Sequence, residues 1–284
     1  MLTISKPLGV AQLRTYHAQE FSNGRTNYYT AEETIRGQWH GQLAARWGLT
    51  GDVREDGFQR LAEGRHPLDG QQLVRPQPMR VYTTEDGKQT KTLEHRAGWD
   101  ATFSAPKSVS LTALVGGDVR VAEAHRASVG VALDELERYV QARIGRNLPA
   151  DTTGQWVAAR FEHDSARPVE GYAAPQLHTH VIVFNVTERA SGEPRAVQPR
   201  ELYRSQQFAT AIYRAELASR LIAFGYEIER GASGQPEIRG YTADYLEASS
   251  PRRQQIEEHL AQVHHAGARA AQIAAHQTRD AKSH

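Results

Sequence analysis

An α+β fold is the class this 284-residue sequence predicts: a central, mainly antiparallel β-sheet flanked by helices, followed by a C-terminal helical segment. Three observations predict it. An Asp86-Gly87 turn between two β-prone runs marks a hairpin, and hairpins join antiparallel strands. Strand-like and helix-like runs do not alternate in the βαβα order of a doubly wound sheet. Two long segments, 119–144 and 201–224, repeat apolar residues at helical spacing and supply the flanking layer.

The elements follow in order. Ile35, Leu43 and Trp47 predict a helix over 31–47, with Gly48 as its stop. A short helix is expected over 56–63. His66-Pro67, Asp69-Gly70 and two further prolines make 65–78 a loop. Met79–Thr84 and Lys88–Glu94 form the hairpin. Gly98–Ser104 alternates as a strand, with Trp99, Ala101 and Phe103 on one face and Asp100 and Thr102 on the other. Val121, Val129, Leu133, Leu136, Val140 and Ile144 draw one helix face from 119 to 144. Thr153–Phe161 and Leu177–Val186 are β-rich; the second is apolar on both faces at Val181–Phe184 and so suits a central strand. Ala209, Tyr213, Leu217 and Leu221 predict a helix from Glu201 to Phe224, capped by Gly225. Tyr226–Glu229 and Glu237–Gly240 pair as the last strands, and Pro251 opens a polar, Ala- and Gln-rich helix. Residues 1–250 are read as one domain and 251–284 as a helical segment that suits a linker to a further domain.

Composition narrows the chemistry. With no cysteine, disulfide frameworks, zinc–cysteine fingers, iron–sulfur clusters and thiol nucleophiles are excluded, and any metal rests on His, Asp or Glu. No uncharged run approaches the ~20 residues of a transmembrane helix, and no signal-peptide core opens the chain, so a cytoplasmic protein is expected. The 34 basic and 33 acidic residues leave a formal charge of +1, which argues against a bulk polyanion-binding surface and leaves room for placed basic contacts.

The sharpest feature is Pro175-Gln176-Leu177-His178-Thr179-His180-Val181. Histidines two apart on a strand point the same way and can share one ion. His163, on the preceding strand, comes beside His178 if the two strands are antiparallel neighbours. Three imidazoles leave coordination positions open, as catalytic sites do, and the donor set admits Zn²⁺, Mn²⁺, Co²⁺ or Ni²⁺ while favouring Mg²⁺ less than carboxylates would. Asp100 can accept a hydrogen bond from a ligand histidine or take a proton as a base. Tyr16 and the Tyr28-Tyr29 doublet offer phenols, which act as covalent nucleophiles once ionised. The hairpin region adds Arg75, Gln77, Arg80, Lys88 and Lys91. Its two-stranded ribbon fits a DNA major groove, and Lys107, in an Ala-Pro-Lys-Ser turn, is a candidate phosphate contact.

These residues together resemble a known family. His178-Thr179-His180 resembles the HUH motif of single-strand DNA endonucleases. Gly98-Trp99-Asp100-Ala101-Thr102-Phe103-Ser104-Ala105-Pro106-Lys107-Ser108-Val109-Ser110 resembles the signature of MobF-class, TrwC/TraI-like conjugative relaxases, as do the N-terminal tyrosines. The resemblance implies an HUH relaxase/Rep-like palm that nicks and rejoins one DNA strand at an origin of transfer, through a 5′-phosphotyrosyl intermediate and a free 3′-OH. It implies Tyr16 as the first catalytic tyrosine, Tyr28 or Tyr29 as the second, His163, His178 and His180 as ligands of a divalent ion (Mg²⁺ or Mn²⁺ in use), and Asp100 as the carboxylate beside them. Its partners would be single-stranded and hairpin DNA at the origin, relaxosome accessory proteins and a type IV secretion coupling protein, with transfer to the recipient cell. A rolling-circle replication initiator and a non-catalytic DNA-binding module with a structural metal are the alternatives; motif and size favour the relaxase.

Overall fold

The structure, a computed structural model, describes residues 1–21, 37–76, 81–83, 87, 89–91, 95–145, 148–252 and 254–256. In chain order the elements are β1 (Leu2–Ile4), β2 (Leu8–Gly9), α1 (Val10–Phe21), β3 (Gln38–His40), α2 (Gln42–Arg46), α3 (Glu55–Ala62), β4 (Val81–Thr83), β5 (Gln89–Lys91), β6 (Arg96–Ser104), α4 (Lys107–Leu114), α5 (Val119–Glu137) and β7 (Gln141–Ala142). There follow β8 (Asp151–Thr152), β9 (Ala158–Ser165), β10 (Pro175–Phe184), β11 (Thr187–Glu188), β12 (Pro194–Arg195), β13 (Val197–Gln198), α6 (Arg200–Arg204), α7 (Gln206–Ala223), β14 (Ile228–Arg230), β15 (Pro236–Ile238) and α8 (Ala243–Ala248).

The main sheet runs β1-β6-β10-β9-β3, with β2 also on β6, and its pairings are antiparallel, as the sequence predicts. β10 is central. Its odd positions, Leu177, Val181 and Val183, enter one core with Trp99 and Phe103 of β6 and the apolar faces of α4, α5 and α7. On the other face Ile182 and Phe184 join Phe161 of β9 and Leu13, Leu43, Phe58 and Leu61 of α1–α3 in a second core. That second core covers only part of its face. The strand positions beyond it carry His178, His180, His163, Asp100 and Thr102, so the period-2 alternation of a strand separates a mainly apolar side from a polar ledge. Gly98 begins this stretch of β6 because a Cβ there would collide with the carbonyl oxygen of Val183.

Several boundaries differ from expectation. The helix expected over 31–47 is replaced, where described, by β3 and then α2. A three-residue edge strand has too short an alternation to show against helical spacing. Gly48 does stop α2, at φ +70°. The helix expected to reach Ile144 ends at Glu137. Val140 keeps the apolar rhythm because the turn after the helix delivers it into the same core as the α5 residues. The strand expected from Thr153 begins at Ala158, and residues 153–157 approach it as a lead-in held by Thr153 and Gly154 amides on the Val140 carbonyl. The helix expected over 201–224 is two, α6 and α7, meeting at Ser205, and Gly225 ends the second at φ +92°. Lys107 is not in a turn; it is the first residue of α4, with Pro106 fixing the entry. The hairpin is β4 paired with β5, Gly87 standing at φ +75°. The link from β9 to β10 folds into a tight turn in which Val169 and Tyr172 exchange backbone hydrogen bonds while Glu170 and Gly171 both take positive φ. Residues 251–252 and 254–256 are helical; the rest of the expected C-terminal helix, with residues 257–284, lies outside the described residues.

Candidate metal and strand-transfer site

Register alone brings the three histidines together. His178 is the direct partner of His163 on β9 and of Ser104 on β6, while His180 pairs with Phe161 and Thr102. The ring centroids form a near-equilateral triangle: 5.1 Å from His163 to His178, 5.2 Å from His163 to His180 and 5.1 Å from His178 to His180. Three imidazoles that bind one ion through a ring nitrogen, at an M–N distance of about 2.1 Å, have centroids about 5 Å apart, so the donor set fits a divalent ion.

Hydrogen bonds fix two of the tautomers. His178 Nδ1 lies 2.9 Å from the Gln176 carbonyl oxygen, which can only accept, so Nδ1 carries the proton and Nε2 the lone pair. His180 Nδ1 donates to Asp100 Oδ2 at 2.8 Å, with the same result. Thr102 donates its hydroxyl to Asp100 Oδ1 at 3.1 Å and lies 3.1 Å from His180 Nδ1. Asp100's own amide donates to Ser5 Oγ at 2.9 Å, which ties the carboxylate's backbone to the strand end of β1. Thr102 is the member of this hydrogen-bonded cluster to which its motif alone gives no role. Its signal was present, since it shares the polar face of β6 with Asp100.

The Ala105–Ser110 segment clamps the start of β10. Ala105 N donates to the Leu177 carbonyl at 3.0 Å, Leu177 N to Ser110 Oγ at 3.0 Å, and Gln176 Nε2 to the Ala105 carbonyl at 2.9 Å. Lys107 Nζ donates to the Pro175 carbonyl at 2.8 Å. Burial lowers the Lys107 pKa to about 8, with Glu237 opposing the shift. Glu237 accepts from Ser108 N at 3.2 Å, at the N-terminal turn of α4, and from the Ser108 hydroxyl. The two sequence motifs, 98–110 and 175–181, are therefore one construction, in which the first sets the height of the strand that bears the second.

The remaining candidates fall as follows. Tyr16 lies within α1, the helix whose Leu13 belongs to the core on the histidine face. Arg75 is exposed and Lys91 is in β5. Tyr28, Tyr29, Gln77, Arg80 and Lys88 lie outside the described residues. A second metal-capable group, not anticipated, is His40, Asp134 and Glu137, with ligand atoms within 4.8 Å of one another. Here Glu137 Oε1 already accepts the Gln42 amide at 2.8 Å and the Trp156 amide at 2.9 Å, so this carboxylate anchors α2 and the lead-in to β9.

Comparison with known proteins gives consistent results. The family model described as TrwC relaxase matches residues 10–284. The multifunctional conjugation protein TraI of Escherichia coli strain K12 is 36% identical over 290 residues, spanning 98% of this chain and 15% of that protein. A second Escherichia coli TraI is 37% identical over 276 residues, spanning 91% of this chain and 14% of that protein. The chain thus spans about a seventh of the length of these curated relatives. Among solved structures, the conjugative relaxase TrwC in complex with oriT DNA, in its metal-bound form, superposes with a TM-score of 0.81 at 30% identity, covering 100% of this chain and 92% of that one. TrwC with a 27-mer DNA comprising the recognition hairpin and the cleavage site gives 0.78 at 29% identity with the same coverage.

Proposed function

The chain belongs to the TrwC relaxase family, and from that premise we propose that it nicks and rejoins one DNA strand at an origin of transfer during conjugation, by tyrosine transesterification at a divalent metal ion. The observation that carries the reading is the triangle of His163, His178 and His180 beside Asp100. Solved relatives hold oriT DNA, one of them in a metal-bound form. When bound by the three imidazoles, a divalent ion, Mg²⁺ or Mn²⁺ in this reading, supplies positive charge to the non-bridging oxygens of the scissile phosphate.

The chain's own residues do the rest. Asp100 holds the proton on His180 Nδ1 and so keeps the Nε2 lone pair on the ledge. The Tyr16 phenol gives up its proton to solvent or to Asp100, and its oxygen attacks phosphorus. The bond from phosphorus to the 3′ oxygen breaks, leaving a 5′-phosphotyrosine and a 3′ oxygen that takes up a proton. Because the phosphotyrosine retains the energy of the phosphodiester, the reverse attack by a 3′-OH reseals the strand without ATP. Tyr28 or Tyr29 serves the second transesterification.

The β4–β5 ribbon, with Arg75, Gln77, Arg80, Lys88 and Lys91, reads duplex DNA beside the nick, and Lys107 contacts a phosphate. Arg80→Ala with Lys91→Ala should weaken oligonucleotide binding and flatten its salt dependence; an unchanged salt slope removes the ribbon from the interface. Accessory proteins and a type IV secretion coupling protein are the further partners, and the cytoplasm the site of action. Among the described residues no helix is long and apolar enough to cross a membrane.

The decisive experiment incubates the protein with Mn²⁺ or Mg²⁺ and single-stranded oligonucleotides from the transfer origin of its own element, then seeks a protein–DNA adduct on a denaturing gel. The adduct should form, and Tyr16→Phe should abolish it. An adduct that survives Tyr16→Phe and disappears in Tyr28→Phe moves the nucleophile. Free 5′-phosphate product without an adduct rejects the covalent mechanism.

A further inference from the structure

On the apolar side of β10 one residue is out of character. Leu177, Val181 and Val183 are aliphatic, yet the position between the two motif histidines is Thr179, which is buried. Valine has the same shape and would suit this core. The hydroxyl instead meets a second buried polar group: Thr179 Oγ1 is 3.0 Å from His125 Nε2 on α5. His125 Nδ1 is 2.8 Å from the phenol of Tyr213 on α7. All three side chains are buried, His125 and Tyr213 completely. A neutral imidazole donates through one ring nitrogen and accepts through the other, so it suits a relay between two hydroxyls. Burial holds His125 in that neutral state, well below the usual histidine range, and raises the Tyr213 phenol so that it keeps its proton.

Such a chain has a clear liability and little stability to offer. Burying hydroxyls and an imidazole costs desolvation that their mutual hydrogen bonds only about repay, and a same-shape apolar replacement is often neutral or better. What the chain does provide is direction. A hydrogen bond fixes the rotamer of Thr179 and the roll of the strand about it, whereas methyl packing does not. The flanking side chains, His178 and His180, emerge on the opposite face from the same stretch of backbone. Phe103, the β6 partner of Thr179, packs on the Tyr213 ring at 5.5 Å, so the relay and the sheet share a support.

We propose that Thr179, His125 and Tyr213 are positioning residues for the metal site: a hydrogen-bonded strut from the helical layer that sets the angle at which His178 and His180 converge. The inference rests on the metal-site reading given above. A ligand set must be held within about 0.5 Å and 10–20° of its working geometry, and β10 carries two of the three ligands.

The test titrates the full chain with Mn²⁺, reading free ion by electron paramagnetic resonance, beside thermal melts. His178→Ala serves as the control. Thr179→Val should weaken Mn²⁺ binding about three- to tenfold while the melting temperature holds or rises, and Thr179→Ser should restore affinity. Tyr213→Phe, which keeps its ring packed, should weaken binding in the same direction. Opposed movement of affinity and stability is something a merely structural role would not produce. Wild-type affinity in both Thr179→Val and Tyr213→Phe overturns the strut. A wild-type chain that binds no Mn²⁺, or a His178→Ala variant that binds it normally, overturns the metal-site reading instead and the strut with it.

Discussion

His163 and His178 stand directly opposite one another on β9 and β10, their rings stacked 5.1 Å apart and 21° from parallel. In the proposed site one ion would take a ring nitrogen from each of these two imidazoles, so the pair stands or falls together. His163→Ala should therefore lower Mn²⁺ affinity by more than the about tenfold to hundredfold typical of losing an outer partner. It should abolish the covalent adduct while leaving the circular-dichroism spectrum unchanged. Retained metal stoichiometry in calorimetric titration would remove His163 from the site.

Asp100→Asn keeps the shape of the side chain but removes the charge that holds the proton on His180 Nδ1. Metal affinity should fall about tenfold to hundredfold. Nicking at saturating metal should recover only in part, because the amide can donate to the ring and select the other tautomer. Equal affinities for Asp100→Asn and wild type in a chelator competition would contradict this.

Lys107 carries a pH dependence whose sign is fixed. Its pKa in the folded chain is about 8, against 10.5 for the unperturbed group. In the proposed role a phosphate beside Lys107 would favour the charged form, so DNA affinity should be fullest below about pH 8 and decline as the pH rises from there. The native state binds fewer protons than the unfolded one across the same window, so this group's contribution to folding stability rises between pH 8 and 10.5. Lys107→Arg should hold its DNA affinity through that window, and Lys107→Met should show no pH-dependent loss there. Fluorescence-anisotropy titrations at pH 7, 8.5 and 10 decide the matter; parallel curves for all three proteins exclude Lys107 as a phosphate contact.

Glu137 should separate hydrogen bonding from charge. Its carboxylate accepts two backbone amides while burial raises its pKa, so the ionised form is under strain at neutral pH. Glu137→Ala leaves both amides unsatisfied and should cost about 3 kcal/mol. Glu137→Gln retains an acceptor and should cost less than about half of that. The sign of the shift means the carboxyl's stabilisation is fullest below its unfolded pKa and is lost as the pH rises through the folded one, so the gap between Glu137→Gln and wild type should move in favour of Gln from pH 4 to 7. Urea denaturation gives these differences directly.

Gly98→Ala tests why the 98–110 motif opens on glycine. The added Cβ meets the Val183 carbonyl, a backbone atom that cannot swing aside, so β6 and β10 must separate locally. About 1–3 kcal/mol of stability should be lost. An unchanged denaturation midpoint would mean that the strands accommodate the methyl.

The sequence carried the site further than it carried the fold's edges. His163, His178, His180 and Asp100 were legible because strand periodicity is strict, and a motif at i and i+2 has one geometric meaning in a strand. Thr102 was visible on the same face but has no chemistry of its own to draw the eye; its role comes from Asp100 and His180 beside it. β3 was hidden because Gln38–His40 is short and sits at an edge, so pairing with β9 rather than local pattern decides it. α4 was hidden for the opposite reason. Ser108 through Ala113 are all buried, the polar Ser108, Ser110 and Thr112 among them, so no exposed polar face sets off an apolar one in the sequence. Glu137, Glu237 and His125 act across sequence separations that no window spans.

The Glu170–Gly171 turn between β9 and β10 closes on its own backbone bonds and is exposed. Its length is therefore not what aligns His163 with His178; the ladder of the two strands does that. A reporter module or an affinity handle spliced at this turn would lie beyond the paired ends of β9 and β10 without entering the ladder. The hairpin thus offers a built-in port for tethering the protein, or a fluorophore, at the end of the strand pair that carries the three histidines.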